Sequence, residues 1–128
     1  MHVRHVEGAG RGVVTGRSFA RGALIERCPV LVLPAREVFG ADDASPVLMD
    51  YVFDWRAIRN DHVGLALGYG SLYNHRIFPN ATWTPVAPDL LDIHAHRDIA
   101  AGEEITINYH GTPGDPEPAA FEQRGSPD

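Results

Sequence analysis

Two short motifs in the second half of the chain carry the side chains best suited to chemistry. The first reads Asn-His-Arg-Ile-Phe-Pro-Asn over residues 74–80, and the second reads Gly-Glu-Glu-Ile-Thr-Ile-Asn-Tyr over residues 102–109. Asn74 and His75 offer side-chain and main-chain hydrogen bonds, which suit a ligand with a charged amino-acid end and a planar ring. Tyr109 ends the second motif, and its hydroxyl can orient a reacting amine without adding a full charge. Taken singly, the Asn-His pair is also consistent with a turn that holds a hydrogen-bonded histidine.

A third motif, Gly10-Arg11-Gly12, lies near the N-terminus. It lacks the further glycine and the strand-to-helix setting of a dinucleotide-binding fingerprint. Two glycines around one residue let the main chain come close to a ligand, but a plain β-turn gives the same letters. This motif therefore supports a binding site only in combination with the other two.

Three further tyrosines are candidates for the same site. Tyr51 lies in an alternating stretch with Phe53 and Trp55, so the three side chains are expected on one face of a strand. Tyr69 and Tyr73 flank the glycine-rich approach to the first motif. For each of these tyrosines, packing in the core is the competing interpretation.

Carboxylates and histidines give weaker signals. Glu103 and Glu104 are adjacent, and neighbouring residues of a strand point to opposite faces, so we do not expect them to share an acid/base site. His94 and His96 could share a face, but no third ligand is identifiable in the sequence. We therefore predict no metal site.

The composition fits one soluble, intracellular domain. The chain has 128 residues, 44% of them hydrophobic, no run long enough to cross a bilayer and no signal-peptide pattern at its N-terminus. A net charge of −6, without clustered basic residues, argues against direct nucleic-acid or membrane binding and suits a basic partner. The single cysteine, Cys28, lies in an apolar run and is expected to be a buried side chain.

The pattern along the chain predicts a mostly β protein with one or two helical turns. Glycine and proline breaks separate short period-2 stretches, and no long amphipathic helix is present. Strands are predicted at residues 12–15, 24–27, 30–33, 49–55, 63–67, 81–86, 90–96 and 105–109, a helical turn at 34–39 and an exposed loop at 40–46. The strands at 49–55 and 63–67 are expected to form a hairpin, and those at 81–86 and 90–96 lie around a Pro-Asp turn. Residues 111–128 are expected to form a flexible C-terminal tail.

The three motifs in this order resemble the SET-domain family of protein-lysine methyltransferases. The stretch Ala20-Arg21-Gly22-Ala23-Leu24-Ile25-Glu26 is similar to the family's continuation after its G-x-G loop, and the likeness covers about residues 8 to 110. It is closest to the minimal, stand-alone SET methyltransferases of large algal viruses. The resemblance implies a SET domain at residues 1–110, with small β-clip-like curved sheets, few short helices and a pseudoknot-like C-terminal crossing.

The resemblance also implies an activity, a cofactor and a set of site residues. The cofactor would be S-adenosylmethionine and the substrate a protein or peptide with a basic, lysine-containing segment. Tyr109 and Tyr51 would be catalytic, and Tyr51 and Tyr69 would contact the substrate. The cofactor would be held by Gly10, Arg11, Gly12, Tyr73, Asn74 and His75. A homodimer, in the cytoplasm or in the nucleus of a eukaryotic host, is implied in the same way.

Two departures from the family pattern support an alternative. Arg76-Ile77 stands where the family usually has Ser-Cys, and no cysteine-rich segment follows Tyr109; Phe121 is the aromatic residue that would cover the cofactor in its place. The alternative is a SET-like module without turnover that binds a protein or the cofactor. A methyltransferase that acts on a small molecule, or on a group other than lysine, is a third possibility.

Overall fold

Two curled sheets, one mixed and one antiparallel, make up the part of the chain that the structure describes, which is residues 1–6, 8, 10–39 and 48–116 of a computed structural model. The first sheet has the strand order β1-β2-β9-β6 and the second the order β4-β5-β3-β8-β7. The strands are β1 His2–Val6, β2 Gly10–Val14, β3 Leu24–Pro34, β4 Val52–Asp54, β5 His62–Ala66, β6 Asn74–His75, β7 Ala81–Ala87, β8 Leu90–Ala95 and β9 Glu104–Ile107.

Helical structure is limited to short turns. The helix α1 spans Ala35–Phe39 directly after Pro34, and 3₁₀ turns span Leu48–Asp50 and Gly70–Leu72. Proline before the first turn fits the helix start, because its fixed φ suits that position. None of the helices in the described ranges has the length and apolar character that crossing a bilayer requires. The predicted mostly β fold with few short helices is confirmed.

Two predicted hairpins are confirmed, and two strand boundaries were wrong. Strands β4 and β5 pair antiparallel, as do β7 and β8 around the turn at residues 88 and 89. The strand predicted at 49–55 is shorter, because its first residues form a 3₁₀ turn. The two strands predicted at 24–27 and 30–33 are one long strand, β3, which pairs with β8 along its first half and with β5 along its second.

The core lies between the two sheets. Trp55, Ile93, Ile105 and Ile107 are fully buried, and the Trp55 indole nitrogen donates to the Pro88 carbonyl oxygen at 2.8 Å. Cys28 is fully buried in the same cluster, as its apolar surroundings predicted. Because both sheets contribute to this one cluster, the second sheet supports the first, which carries the motifs.

A crossing at the C-terminal end brings the sequence motifs together. Strand β9 lies parallel to β6 and antiparallel to β2, so residues 10–14, 74–75 and 104–107 are neighbours in one sheet. The buried Asn80 fixes the crossing: its side chain donates to the Glu104 carbonyl oxygen at 2.8 Å and accepts from the Thr106 main-chain N–H at 2.9 Å. The crossing that the family resemblance implied is therefore present.

The segment after the crossing is packed against it as far as residue 116. The Gly114 N–H donates to the Ile77 carbonyl oxygen at 2.6 Å, and the Asn108 side chain donates to the carbonyl oxygens of Ile77 and Asp115. The predicted loop at 40–46, residues 117–128 and Phe121 lie outside the described residues. The division into a domain at 1–110 and a tail at 111–128 stays a prediction.

We predict that Asn80→Ala lowers the free energy of unfolding by about 2 to 5 kcal/mol, because it leaves two buried main-chain groups without partners. Urea unfolding followed by tryptophan fluorescence would measure the change. Asn60→Ala, in an exposed loop, is the control and should stay within about 0.5 kcal/mol of the wild type. Equal stability of the two variants would contradict a structural role for Asn80.

Candidate active site

The parallel pairing of β6 with β9 places Tyr109 beside the Asn-His pair. Asn74 lies opposite Thr106 and His75 opposite Ile107, and the chain then continues to Tyr109. The Tyr109 main-chain N–H donates to His75 Nδ1 at 2.9 Å, and the two rings lie 4.9 Å apart. The bond to Nδ1 fixes the orientation of the imidazole ring beside Tyr109.

The Tyr109 hydroxyl is aimed by the main chain. It donates to the Tyr73 carbonyl oxygen at 3.1 Å. The hydroxyl proton is thereby engaged, and a phenolic oxygen is also the kind of acceptor that suits an amine N–H or a polarised methyl group. The hydroxyl can therefore orient a reacting group without itself becoming charged.

A narrow cavity, which we call the tyrosine cavity, adjoins this tyrosine. Its free volume is about 10 Å³, close to the minimum for one water molecule. Apolar groups form most of its wall, so a polar group entering it leaves most of its water behind. The lining residues are Tyr51, Val52, Phe53, Gly70, Ser71, Tyr73 and Tyr109.

An open apolar groove of about 530 Å³ lies beside the tyrosine cavity. Tyr51 and Ser71 line both spaces. The remaining lining is largely leucine, and Leu67 is 40% exposed. A chain lying in the groove could therefore extend one side chain past Tyr51 toward Tyr109. The other lining residues are Leu48, Leu65, Ala66, Leu67, Gly68 and Leu72.

The glycine motif lies against Asn74. The Asn74 amide donates to the Arg11 carbonyl oxygen at 2.9 Å and to a Glu104 carboxylate oxygen at 2.6 Å. A Cβ atom on Gly12 would come within 2.9 Å of the same amide nitrogen and would also collide with Glu104. Only glycine lets β2 approach this closely, which gives the second glycine of the motif a specific packing role.

Arg11 connects this region to the tyrosine cavity. Its guanidinium donates to the Tyr51 hydroxyl at 3.1 Å, while its carbonyl oxygen accepts from Asn74. The side chain is exposed, so it places a solvated positive charge beside the cavity. Gly10, the first glycine of the motif, has a φ of 78° with open space around its α-carbon.

The structure thus brings most of the candidate residues together, but Tyr69 lies apart from them. The residues from the three motifs, with Tyr51 and Tyr73, lie in one region. The Tyr69 hydroxyl donates to the Met1 carbonyl oxygen at 2.9 Å, and Tyr69 lines neither the tyrosine cavity nor the groove. The Tyr73 ring is buried in the core, so its carbonyl oxygen is the part that reaches the site.

Arg76 and Ile77 contribute to the crossing through their main chains. The Arg76 N–H donates to the Ile107 carbonyl oxygen at 2.9 Å, and the Ile77 carbonyl oxygen accepts from Gly114 and Asn108. Main-chain bonds of this kind are available to almost any residue type. The replacement of Ser-Cys by Arg-Ile is therefore compatible with the crossing.

The sequence did not predict the contacts of two glutamate carboxylates, Glu104 and Glu26. Glu104 contacts the Asn74 amide, and its neighbour Glu103 instead contacts Arg97 and the Ala100 N–H, so the expectation that the pair would diverge is confirmed. Glu26 accepts from the Tyr73 hydroxyl at 2.8 Å. Both contacts join distant parts of the chain. The glutamate in the family-like stretch at 20–26 was the available signal for the second.

Burial perturbs the groups around Glu26. Burial raises the pKa of the Cys28 thiol to about 12, and the charge of Glu26 acts in the same direction. Burial also raises the pKa of Tyr73, with Glu26 as the next cause. Both groups are therefore neutral at physiological pH. In the described ranges no three His, Cys, Asp or Glu side chains are placed to hold a metal ion.

Comparisons with known proteins agree with this geometry. The curled sheets, the crossing and a tyrosine at its end define a SET-type fold. A family model of the SET domain matches residues 10–110. A histone-lysine N-methyltransferase of Schizosaccharomyces pombe, specific for H3 lysine-37, is 31% identical over 110 residues, which is 85% of this chain and 72% of that protein. The chain belongs to the SET-domain family.

A solved structure supports the fold. The crystal structure of a candidate histone methyltransferase from Plasmodium falciparum superposes with a TM-score of 0.64 and covers 87% of this chain and 97% of that chain. The two sequences are 24% identical, so this likeness concerns the fold alone. Membership of the viral subgroup stays a prediction.

We predict that Cys28 is inert to thiol reagents in the folded protein. With a pKa of about 12 in place of 9.0, the thiolate fraction at pH 8 is about 10³-fold lower than in the unfolded chain. The reaction with dithionitrobenzoate, followed with and without guanidinium, would show this, and Cys28→Ser supplies the blank. Because the pKa is higher in the folded state, the neutral thiol favours folding below pH 9, and this contribution is lost as the pH rises toward 12. Equal reaction rates of folded and unfolded protein would contradict the burial.

Proposed function

We propose that this protein is an S-adenosylmethionine-dependent protein-lysine N-methyltransferase. The observation that carries the proposal is the Tyr109 hydroxyl, held by the Tyr73 carbonyl oxygen at one wall of a narrow cavity, next to Asn74. Membership of the SET family and the similarity to a histone-lysine N-methyltransferase support it.

The residues around Asn74 fit the amino-acid end of the cofactor. Two acceptors, Arg11 O and Glu104 Oε2, engage the hydrogens of the Asn74 amide, which leaves the carboxamide oxygen as the atom that accepts from an ammonium group. The Glu104 carboxylate adds negative charge beside it. The absence of a side chain at Gly12 preserves this arrangement. Gly10, the Arg11 main chain and the His75 main chain are the remaining proposed contacts.

When bound, S-adenosylmethionine supplies an electrophilic methyl group on a positively charged sulfur. The chain must present a neutral amine to it. A lysine amine has an ordinary pKa of about 10.4, so its neutral form costs about 4 to 5 kcal/mol at pH 7. The apolar wall of the tyrosine cavity lowers this cost by desolvating the ammonium, and the Arg11 guanidinium near Tyr51 acts in the same direction. The proton leaves to solvent before the transfer.

Tyr109 and Tyr51 would then orient the amine. In-line transfer requires nitrogen, methyl carbon and sulfur to be nearly collinear, and orientation of this kind contributes several kcal/mol. The Tyr109 hydroxyl oxygen would accept from an amine N–H, and Tyr51 would contact the same amine as another residue that lines the cavity. We propose that the substrate chain occupies the apolar groove and inserts its lysine past Tyr51.

The substrate class follows from the same features. A lysine in an exposed protein segment matches the groove and the tyrosine cavity, and the net charge of −6 favours basic segments. The Schizosaccharomyces pombe relative supports a histone tail as the first substrate to test. The contact of Tyr69 with substrate, the homodimer and a cytoplasmic or nuclear location stay predictions.

We predict that Asn74→Ala mainly weakens cofactor binding, whereas Tyr109→Phe mainly lowers turnover. Asn74→Ala removes the acceptor for the cofactor ammonium, so affinity for S-adenosylhomocysteine should fall at least about tenfold, which is about 1.4 kcal/mol. Tyr109→Phe removes the orienting hydroxyl, so turnover should fall at least about 10²-fold with cofactor affinity changed less than about threefold. Calorimetric titration and transfer of radiolabelled methyl to core histones would measure the two effects.

Asn60→Ala is the control for both measurements, because its loop lies outside the site. Cofactor binding without transfer of label to any protein would favour the non-catalytic module. Label found in a small molecule would favour the third possibility. Equal losses of affinity and turnover in Tyr109→Phe would contradict its assigned role.

We predict that Leu67→Asp weakens substrate binding. It places a charge in the apolar groove, so the KM for a histone H3 tail peptide containing lysine-37 should rise about tenfold while the affinity for S-adenosylhomocysteine is unchanged. Leu31→Asp is the matched control, since Leu31 is similarly exposed but does not line the groove. An equal rise in KM in both variants would contradict a specific role for the groove.

A further inference from the structure

Glu26 forms hydrogen bonds to both ends of the segment 69–73, which directly precedes Asn74. It lies on β3, and its carboxylate accepts from the Tyr73 hydroxyl at 2.8 Å and from the Tyr69 main-chain N–H at 3.0 Å. The 3₁₀ turn Gly70–Leu72 lies between these two residues. One carboxylate therefore holds both sides of a single tight turn.

Two features around Glu26 favour its contacts with Tyr69 and Tyr73. Gly68, with a φ of 67°, lies directly over the carboxylate, and a Cβ atom there would collide with Glu26 Oε2. The Tyr73 side chain is 1% exposed, so its hydroxyl has little access to solvent. A buried hydroxyl bonded to a carboxylate makes a stronger and better-directed bond than two neutral groups do.

Tyr73 connects this network to the site through its two ends. Its hydroxyl is held by Glu26, and its carbonyl oxygen accepts from the Tyr109 hydroxyl at 3.1 Å. A shift of the Tyr73 main chain would therefore move the acceptor that aims Tyr109. Asn74 is held separately, by the pairing with β9 and by its bonds to Arg11 and Glu104.

We propose that Glu26 is a positioning residue for the transfer reaction: it fixes the Tyr73 carbonyl oxygen and, through it, the direction of the Tyr109 hydroxyl. The inference rests on the proposed function. Glu26 lines neither the tyrosine cavity nor the groove, so it acts through Tyr73 and not on the substrate. Its effect is expected on turnover and not on cofactor binding, because the contacts of Asn74 are independent of it.

The first test is Glu26→Gln. The carboxamide has the shape of the carboxylate but no charge, and its nitrogen donates where a carboxylate oxygen accepted. Its oxygen can still accept from the Tyr69 N–H, but the bond with the Tyr73 hydroxyl must reverse its direction and lose its charge assistance. We expect kcat for methyl transfer to the H3 tail peptide to fall about tenfold, with the KM and the affinity for S-adenosylhomocysteine changed less than threefold. Glu37→Gln, on the exposed face of α1, is the matched control and should leave all three values unchanged.

A double-mutant cycle separates positioning from general destabilisation. In a Tyr109→Phe background there is no hydroxyl to aim, so Glu26→Gln should cost less than twofold in kcat. Its effect on the melting temperature should be the same in both backgrounds. A tenfold loss of kcat in the Tyr109→Phe background, or a kcat equal to wild type in Glu26→Gln alone, would overturn the inference.

Hydrogen exchange gives a readout that does not depend on activity. Glu26→Gln should speed amide exchange within residues 69–73 at least fivefold and leave β7 and β8 unchanged. If the wild-type protein transferred no methyl group, the proposed function would fail while the exchange result still decided whether Glu26 orders the turn. Unchanged exchange at 69–73 would overturn the inference whatever the activity.

Discussion

The parallel pairing of β6 with β9 is the constraint on which the site depends. A parallel pair needs a long connection, and here the β7–β8 hairpin supplies it. The ladder has only two residue pairs, Asn74 with Thr106 and His75 with Ile107. So short a ladder holds because the Asn80 side chain supplies two further bonds to β9. These bonds support the bonds by which Tyr109 itself is held to His75 and Tyr73, on either side of Asn74.

Much of the site consists of main-chain atoms held in place by side chains elsewhere. The Tyr73 and Arg11 carbonyl oxygens accept from Tyr109 and Asn74, and the main chains of Arg76 and Ile77 complete the crossing. Carbonyl and N–H groups are the same in every residue. This explains how a family can preserve the geometry of a site while its side chains vary, and why the Arg-Ile pair does not argue for an inactive module.

The sequence predicted local structure better than long-range contacts. Alternation and the turn at residues 88 and 89 predicted the hairpins, and the apolar run predicted a buried Cys28. It did not predict β1, the two-residue strand β6 or the continuity of β3. A two-residue strand carries no periodic signal, and a long strand with an internal proline reads as two. Glu26 and Glu104 were missed because their partners are distant in sequence. The family motifs placed the site where periodicity could not.

Charge is divided across the site in a way that suits transfer from a cation to a neutral amine. The Glu104 carboxylate lies beside Asn74, where the proposed cofactor carries its ammonium group, and the Arg11 guanidinium lies beside Tyr51, where the lysine would enter. Opposite charge stabilises the bound ammonium, and like charge disfavours the protonated lysine. Asn74 contacts both residues, but it binds Glu104 through the charged carboxylate and Arg11 only through the main-chain carbonyl oxygen. The Arg11 guanidinium is directed instead by its bond to the Tyr51 hydroxyl, so the two opposite charges lie on different sides of the same asparagine contact.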